Sequence, residues 1–190
     1  MKVNVRIAGS GGQGAVFAGI ILARAAVLYD AKHATQKDGK FAIQTQSYGP
    51  EARGSVSKSD VKISDEKICY PYVEIPNILI VMSEQAYTKY SKEIGDTTIV
   101  LIDEDLVKSR PKVKYYKIPT NKIAKEIGKQ VVTNIVMIGA LCGITQIISK
   151  EAVEKAIIEL APKGSETFNR TAFDKGYKFG EKLKSETPAL

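Results

Sequence analysis

The chain has 190 residues, of which 44% are apolar and 26% charged, as expected for one ordinary globular domain. Its net charge is +7, but the lysines are spread along the chain beside acids, so the clustered positive face of a nucleic-acid-binding protein is missing. No apolar run approaches the roughly 20 residues of a membrane span, and residues 1–6 contain no signal-peptide core. We therefore expect a cytoplasmic protein that binds neither membrane nor nucleic acid.

Potential ligands for metals and redox clusters are scarce. Cys69 and Cys142 are the only cysteines, and His33 is the only histidine. An iron–sulfur cluster is normally held by four thiolates, and structural zinc usually needs four Cys or His ligands. We expect no metal site and no cofactor bound by this chain alone, and we interpret both cysteines as small apolar packing residues. Since no Ser-His-Asp, Cys-His or His-Glu-x-x-His arrangement is present, no catalytic residue is assigned.

The chain opens with a strand–turn–helix pattern. Residues 3–8 alternate as a strand, and a helix over residues 15–28 is apolar almost all round, which indicates burial against a sheet. Between them lies the glycine turn, residues 9–14, whose candidates for phosphate contact are Gly9, Gly11, Gly12, Gln13 and Gly14. Bare backbone and a helix start can bind an anion, but the same glycines can equally serve close packing, and both interpretations stay open.

Neither nucleotide motif is complete at this turn. The G-x-G-x-x-G dinucleotide pattern requires an acid at the end of the second strand, whereas Asp30 comes directly after the helix. In the P-loop frame, Ala15 and Val16 stand where Lys and Ser or Thr are required. An NAD(P)-binding oxidoreductase therefore remains only the alternative interpretation.

The next part of the chain is predicted to be two strands joined by an unusually polar loop. Residues 31–39 form either a short strand or a loop; residues 41–46 and 56–64 read as strands. The loop between these two strands concentrates an amide, a hydroxyl, a phenol, a carboxylate and a guanidinium. Its candidate interface or ligand residues are Gln46, Ser47, Tyr48, Glu51 and Arg53. Arg53 could bind a phosphate or carboxylate through its planar guanidinium. The other interpretation is an internal Glu51–Arg53 ion pair that stiffens the turn.

Strands and helices alternate over the rest of the chain. Residues 77–82 read as a central parallel strand and residues 97–102 as a second buried strand, with a shorter strand at 114–118. Ser83 and Ser149 are predicted helix caps. Helices are predicted over residues 84–94, 120–128, 134–148, 150–160 and 166–183. The fold class is α/β: a single Rossmann-like domain over residues 1–184, with a mostly parallel sheet flanked by helices on both faces, and a flexible tail over residues 185–190.

Several ordered blocks resemble the gamma subunit of 2-oxoacid:ferredoxin oxidoreductases over nearly the full length. They are the glycine turn at residues 9–14, Gln-Ser-Tyr-Gly-Pro-Glu-Ala-Arg-Gly at 46–54, the block at 59–71, Met-Ser-Glu-Gln-Ala-Tyr-Thr-Lys-Tyr at 82–90, the block at 134–140 and Asn169 to Tyr177. The Tyr-Gly-Pro-Glu-Ala-Arg block is most similar to the 2-oxoglutarate branch. Ser55 departs from the family pattern, which usually has a second glycine there, and residues 32–38 look like extra length.

The resemblance implies a role in oxidative decarboxylation of a 2-oxoacid, here 2-oxoglutarate, to acyl-CoA with reduction of ferredoxin. It implies partners in alpha, beta and ferredoxin-like delta subunits, which would supply thiamine diphosphate, Mg²⁺ and iron–sulfur clusters. The glycine turn could then contact phosphates of coenzyme A, while the polar loop faces the partner subunits. Whether the isolated chain forms a homodimer stays open.

Overall fold

The computed structural model describes residues 1–30, 40–49 and 55–186, and a six-stranded sheet forms its centre. The strand order is β2-β3-β1-β4-β5-β6. β3 is antiparallel to both neighbours, whereas β1, β4, β5 and β6 pair in parallel. The sheet is thus mostly parallel, as predicted. Its strands are β1 (Lys2–Ser10), β2 (Phe41–Ser47), β3 (Val56–Ser64), β4 (Ile78–Val81), β5 (Ile99–Asp103) and β6 (Tyr115–Ile118).

Helices cover both faces of the sheet unequally. The larger apolar core joins one face to α1, α3, α4, α5 and α6, and a smaller core joins the other face to α2. β4 is buried along its whole length because both of its faces are covered, which explains its continuous apolar sequence. The helices are α1 (Ala15–Arg24), α2 (Glu84–Tyr90), α3 (Thr120–Ile127), α4 (Thr133–Thr145), α5 (Lys150–Leu160) and α6 (Glu166–Glu186). None of these helices is long and apolar enough to cross a membrane.

Local chemistry explains where several helices begin and end. The Ser83 hydroxyl accepts a hydrogen bond from the Ala86 N–H and caps α2, as predicted. Gly128, at φ +79°, ends α3, and Gln146, at φ +54°, ends α4 earlier than the apolar pattern suggested. Ser149 does precede α5, but its side chain makes no capping bond, and its N–H donates instead to the Asp30 carboxylate.

Other boundaries differ modestly from the sequence-based expectations. After α1 the chain continues for one π-helical turn, Ala25–Tyr29, and after α2 for one 3₁₀ turn, Ser91–Glu93. α6 runs to Glu186, so residues 185 and 186 of the predicted tail are helical, while residues 187–190 lie outside the described residues. So does the ambiguous segment 31–39. Cys142 is buried, but Cys69 is exposed on the irregular segment after β3, so its interpretation as a packing residue was wrong.

α4 and α6 approach each other unusually closely. Four glycines line their contact, two from each helix: Gly139 and Gly143 on α4, Gly176 and Gly180 on α6. A methyl group added at any of them would lie 2.2–2.4 Å from a carbonyl oxygen of the other helix. The absence of side chains at these positions therefore allows backbone to pack on backbone.

Candidate functional site

The glycine turn lies at the topological switch point of the sheet. β1 continues into α1 and then to strands on one side, whereas β4, its parallel neighbour, begins the run of strands on the other side. In open α/β sheets this crevice, beyond the carboxyl ends of the strands, is the usual ligand site. The fold therefore places the predicted turn where a Rossmann-like domain binds its ligand.

The side chain of Gln13 occupies this crevice. Its Oε1 accepts a hydrogen bond from the Ser10 N–H at 2.6 Å, and its Nε2 donates to the Met82 carbonyl oxygen at 2.8 Å. The amide thus joins the carboxyl ends of β1 and β4. In a dinucleotide-binding domain the pyrophosphate would need this space.

The glycines of the turn have different roles. A methyl group at Gly9 would lie 2.7 Å from the Gln13 Oε1, and one at Gly14 only 2.4 Å from the Asn134 amide nitrogen, so both positions serve packing. Gly12 has φ +94°, a conformation that favours glycine, and a methyl group there would meet no atom within 4 Å. Of Gly9, Gly12 and Gly14, Gly12 is therefore the one that is open to an approaching molecule.

The start of α1 can attract an anion. The helix begins after Gly14 at φ +74°, and no side chain caps its first turn. First-turn N–H groups and the helix dipole therefore give this end of α1 a partial positive charge. The Gly11 N–H, in contrast, already donates to the Ser55 carbonyl oxygen at 2.8 Å.

That hydrogen bond brings the glycine turn and the polar loop together. Gln46 and Ser47 are exposed at the end of β2, and Tyr48 is 64% exposed. Glu51 and Arg53 lie outside the described residues, and their predicted roles remain predictions.

Asp30, the only acid near the spacing of a dinucleotide fingerprint, is engaged elsewhere. Its Oδ2 lies 2.8 Å from the Lys40 Nζ, and both side chains are completely buried. Its Oδ1 accepts the Ser149 N–H at 3.0 Å, and Lys40 also donates to the Ile147 carbonyl oxygen. Asp30 therefore ties the end of the α1 segment to the connection before α5 and cannot contact a ribose.

A second buried acid, Asp103, lies at the carboxyl end of β5. Burial raises the pKa of this carboxyl group, while hydrogen bonds from the Thr120 hydroxyl and the Leu106 and Asp105 N–H groups act in the opposite direction. These bonds stabilise the turn after β5 and the start of α3. The Asp103 carboxylate is thus used to stabilise this turn and helix start.

Two contributors to the site were missed at the sequence level. Asn134, at the start of α4, donates from Nδ2 to the Gly14 carbonyl oxygen at 3.2 Å, and Met82 supplies the carbonyl that Gln13 binds. Two signals were available for Asn134: a polar residue at the first turn of a mostly apolar helix, and its place in the family-like block at residues 134–140. A backbone carbonyl leaves no signal in the sequence.

The described residues contain no group of three or more His, Cys, Asp or Glu side chains that could hold a metal ion. Burial raises the pKa of the Cys142 thiol to about 12, so it is an unreactive packing residue. The side chains of the described residues therefore do not provide the thiolate ligand set of an iron–sulfur cluster.

Fold and site together define a Rossmann-like α/β domain whose switch point is filled by its own glutamine. Comparison with known proteins agrees with this class. The chain belongs to the pyruvate ferredoxin/flavodoxin oxidoreductase family, whose sequence model matches residues 4–179.

Similar proteins of known name and a solved structure show which members of this family the chain resembles. The chain is 50% identical to 2-oxoglutarate synthase subunit KorC of Methanocaldococcus jannaschii, covering 96% of each chain. It is 43% identical to the KorC subunit of Methanothermobacter thermautotrophicus, covering 93% of this chain and 94% of the relative. The gamma subunit of a keto/oxoacid ferredoxin oxidoreductase from Geobacter sulfurreducens superposes with a TM-score of 0.82 at 36% identity, over 96% of this chain and 98% of that one.

Proposed function

We propose that this chain is the non-catalytic gamma-type subunit of a 2-oxoglutarate:ferredoxin oxidoreductase. The observation that carries the proposal is the Gln13 bridge between β1 and β4, because it fills the dinucleotide crevice of an otherwise Rossmann-like domain. The engagement of Asp30 by Lys40 supports the same conclusion. Likeness to KorC subunits along almost the whole chain favours 2-oxoglutarate over other 2-oxoacids.

The complex would convert 2-oxoglutarate and coenzyme A to succinyl-CoA and CO₂. The bond between C1 and C2 breaks and CO₂ leaves. The succinyl group passes to the coenzyme A sulfur, whose thiol proton is released to solvent, and two electrons reduce two ferredoxins. Alpha, beta and ferredoxin-like delta subunits would provide thiamine diphosphate, Mg²⁺ and iron–sulfur clusters. The ligand supply of this chain, with two cysteines in all, supports that division.

Within the complex, the glycine turn and the loop with Tyr48 and Arg53 would face the partner subunits near the active-site entrance. Gly12 and the first turn of α1 are the groups best suited to a coenzyme A phosphate, since they combine open space with a positive helix end. Gly9, Gln13 and Gly14 would shape the turn, and Gly11 would hold the loop against it.

Reconstitution tests the proposal directly. The chain is co-expressed with the other subunits, and 2-oxoglutarate-dependent, coenzyme A-dependent reduction of ferredoxin is measured with and without it. We expect the isolated chain to be inactive and the complex lacking it to lose activity. Turnover of 2-oxoglutarate by the chain alone, or full activity of the remaining subunits without it, would refute the proposal.

Arg53→Ala tests the loop within that complex. We expect a higher KM for coenzyme A or weaker assembly, because a guanidinium can bind phosphate or carboxylate through two parallel hydrogen bonds. Lys178→Ala, an exposed cation on α6, is the matched control. Unchanged kinetics and assembly in the Arg53 variant would contradict a role for the loop.

A further inference from the structure

A cleft of about 390 Å³ opens between the start of α4, the start of α6 and the first turn of α1. It lies beside the glycine turn, because Asn134 contributes to its wall and also binds the Gly14 carbonyl oxygen. Most of its lining is apolar. The apolar residues are Phe17, Val131, Val132, Ile135, Pro162 and Phe168.

The rim of this cleft is positively charged. Lys129 and Lys163 are its only charged lining residues, and neither has a carboxylate partner in the part of the chain that the structure describes. The Lys129 Nζ lies 5.0 Å from the centre of the Phe168 ring, so its charge is held over the apolar wall. The start of α4, whose first turn carries no acidic residue, adds partial positive charge to the same side.

Apolar surface extends beyond the cleft itself. Val131 is 84% exposed and Phe168 is 36% exposed. A small molecule inside the cleft would cover only the part of Val131 that lines it, whereas a protein segment lying across the rim would cover both side chains. Exposed apolar surface of this kind marks protein contacts.

We infer that this cleft binds a segment of a neighbouring subunit in which an apolar side chain is flanked by Asp or Glu. The apolar side chain enters between Phe17 and Phe168, and the carboxylates meet Lys129 and Lys163. The inference rests on the proposed function, because it takes the partner to be another subunit of the same oxidoreductase. A second copy of this chain, with net charge +7, is a poor electrostatic match.

The binding test compares variants of the full chain against the purified complex of the remaining subunits. We expect Val131→Asp, and separately Lys129→Glu combined with Lys163→Glu, to weaken association about tenfold or more. For the double charge reversal we expect salt to weaken association less than in the wild type, because two attractions have become repulsions. Matched controls are Val27→Asp and the pair Lys155→Glu with Lys178→Glu, which lie outside the cleft. Circular dichroism and thermal unfolding confirm that each variant is folded.

Photocrosslinking identifies the occupant in the assembled complex. With p-benzoylphenylalanine at position 131, we expect a crosslink to an acidic, apolar peptide of another subunit. A crosslink to this chain, or variants that assemble like the wild type, would overturn the inference. So would unchanged assembly with a raised KM for coenzyme A, which would indicate a small-molecule cleft. A wild-type chain that binds none of the subunits would refute the proposed function itself, and the inference with it.

Discussion

At the scale of single residues, the polar groups inside this domain mostly hold backbone segments together. Gln13 joins two strand ends, Asn134 fastens the glycine turn to α4, and Asp30 fastens α1 to the connection before α5. Partly or fully buried polar groups that lose such partners keep their desolvation cost without compensation. Substitutions at these positions should therefore be measurable as stability changes.

Gln13→Ala removes both hydrogen bonds at the switch point. The Ser10 N–H and the Met82 carbonyl would lose their partner, so we expect a loss of about 1–3 kcal/mol in the free energy of unfolding. Urea denaturation followed by tyrosine fluorescence measures it. If the amide served only as a ligand contact, the variant would unfold at the wild-type urea concentration.

Lys40→Met leaves the Asp30 carboxylate buried without its cation. Breaking a buried pair in this way typically costs about 3–5 kcal/mol, whereas replacing both members by apolar residues is far less costly. We expect Asp30→Leu combined with Lys40→Met to recover much of the loss. Lys175→Ala, which breaks the exposed pair with Glu126, should change stability little. Equal losses in the buried and exposed variants would contradict the role of burial.

At the scale of elements, the contact between α4 and α6 and the tie between α1 and α5 hold the larger helical layer together. The first depends on backbone proximity through four glycines. The second is an exposed polar contact, in which the Glu159 carboxylate accepts hydrogen bonds from the Arg24 guanidinium and the Tyr29 hydroxyl. The buried helix contact should therefore contribute more to the free energy of unfolding than the exposed polar contact.

Gly139→Ala adds a methyl group 2.3 Å from the Phe173 carbonyl oxygen. Alanine favours helix over glycine by about 1 kcal/mol, yet overpacking typically costs about 1–3 kcal/mol, and here the neighbour is rigid backbone. We therefore expect a net loss of stability and a lower Tm. Lys178→Ala on the exposed side of α6 is the control for helix propensity. A Gly139→Ala variant more stable than wild type would disprove the close helix contact.

Glu159→Gln tests the tie between α1 and α5 through its pH dependence. Hydrogen bonds from Arg24 and Tyr29 lower the pKa of Glu159 to about 2 from an ordinary value of 4.5. A carboxyl group with a lowered folded-state pKa stabilises the fold above its unfolded-state pKa, and this contribution is lost as the pH falls toward the folded-state value. The difference between wild type and variant should be small, because the pair is exposed, and should shrink from pH 5 to pH 3. A difference that grows on acidification would contradict this assignment.

At the scale of the whole molecule, the sheet has the topology of a dinucleotide-binding domain, but the Gln13 side chain fills the crevice where the dinucleotide would bind. We therefore expect the purified chain to bind neither NADH nor NADPH in titrations followed by nicotinamide fluorescence. Gln13→Gly removes the side chain from the crevice. Comparing its binding of NADH and NADPH with that of the wild type shows whether the Gln13 side chain alone excludes the dinucleotide. Micromolar binding by the wild-type chain would revive the oxidoreductase alternative.

Hydrophobic periodicity in the sequence was sufficient to predict the α/β class, the central position of β4 and most element boundaries. A strand buried on both faces has a continuous apolar sequence, and an element buried on one face has apolar residues at regular intervals, so both kinds of burial can be recognised in the sequence. The glycine turn and the polar loop were also recognisable locally. The early end of α4 was not, because Gln146 leaves the helix in a left-handed conformation that its residue type does not announce.

The sequence by itself therefore determined the layers of the fold, the place of the turn and the absence of a four-cysteine ligand set. Only the tertiary structure decided how Gln13, Asp30, Asn134 and the four glycines of α4 and α6 are used. Their partners lie tens of residues or more away, except Ser10, Lys40 and the Ile135 N–H that donates to Asn134. Many of these partners are backbone atoms, which are alike at every position. Local pattern records which face of an element is buried, whereas the pairing of distant polar groups arises when the chain folds.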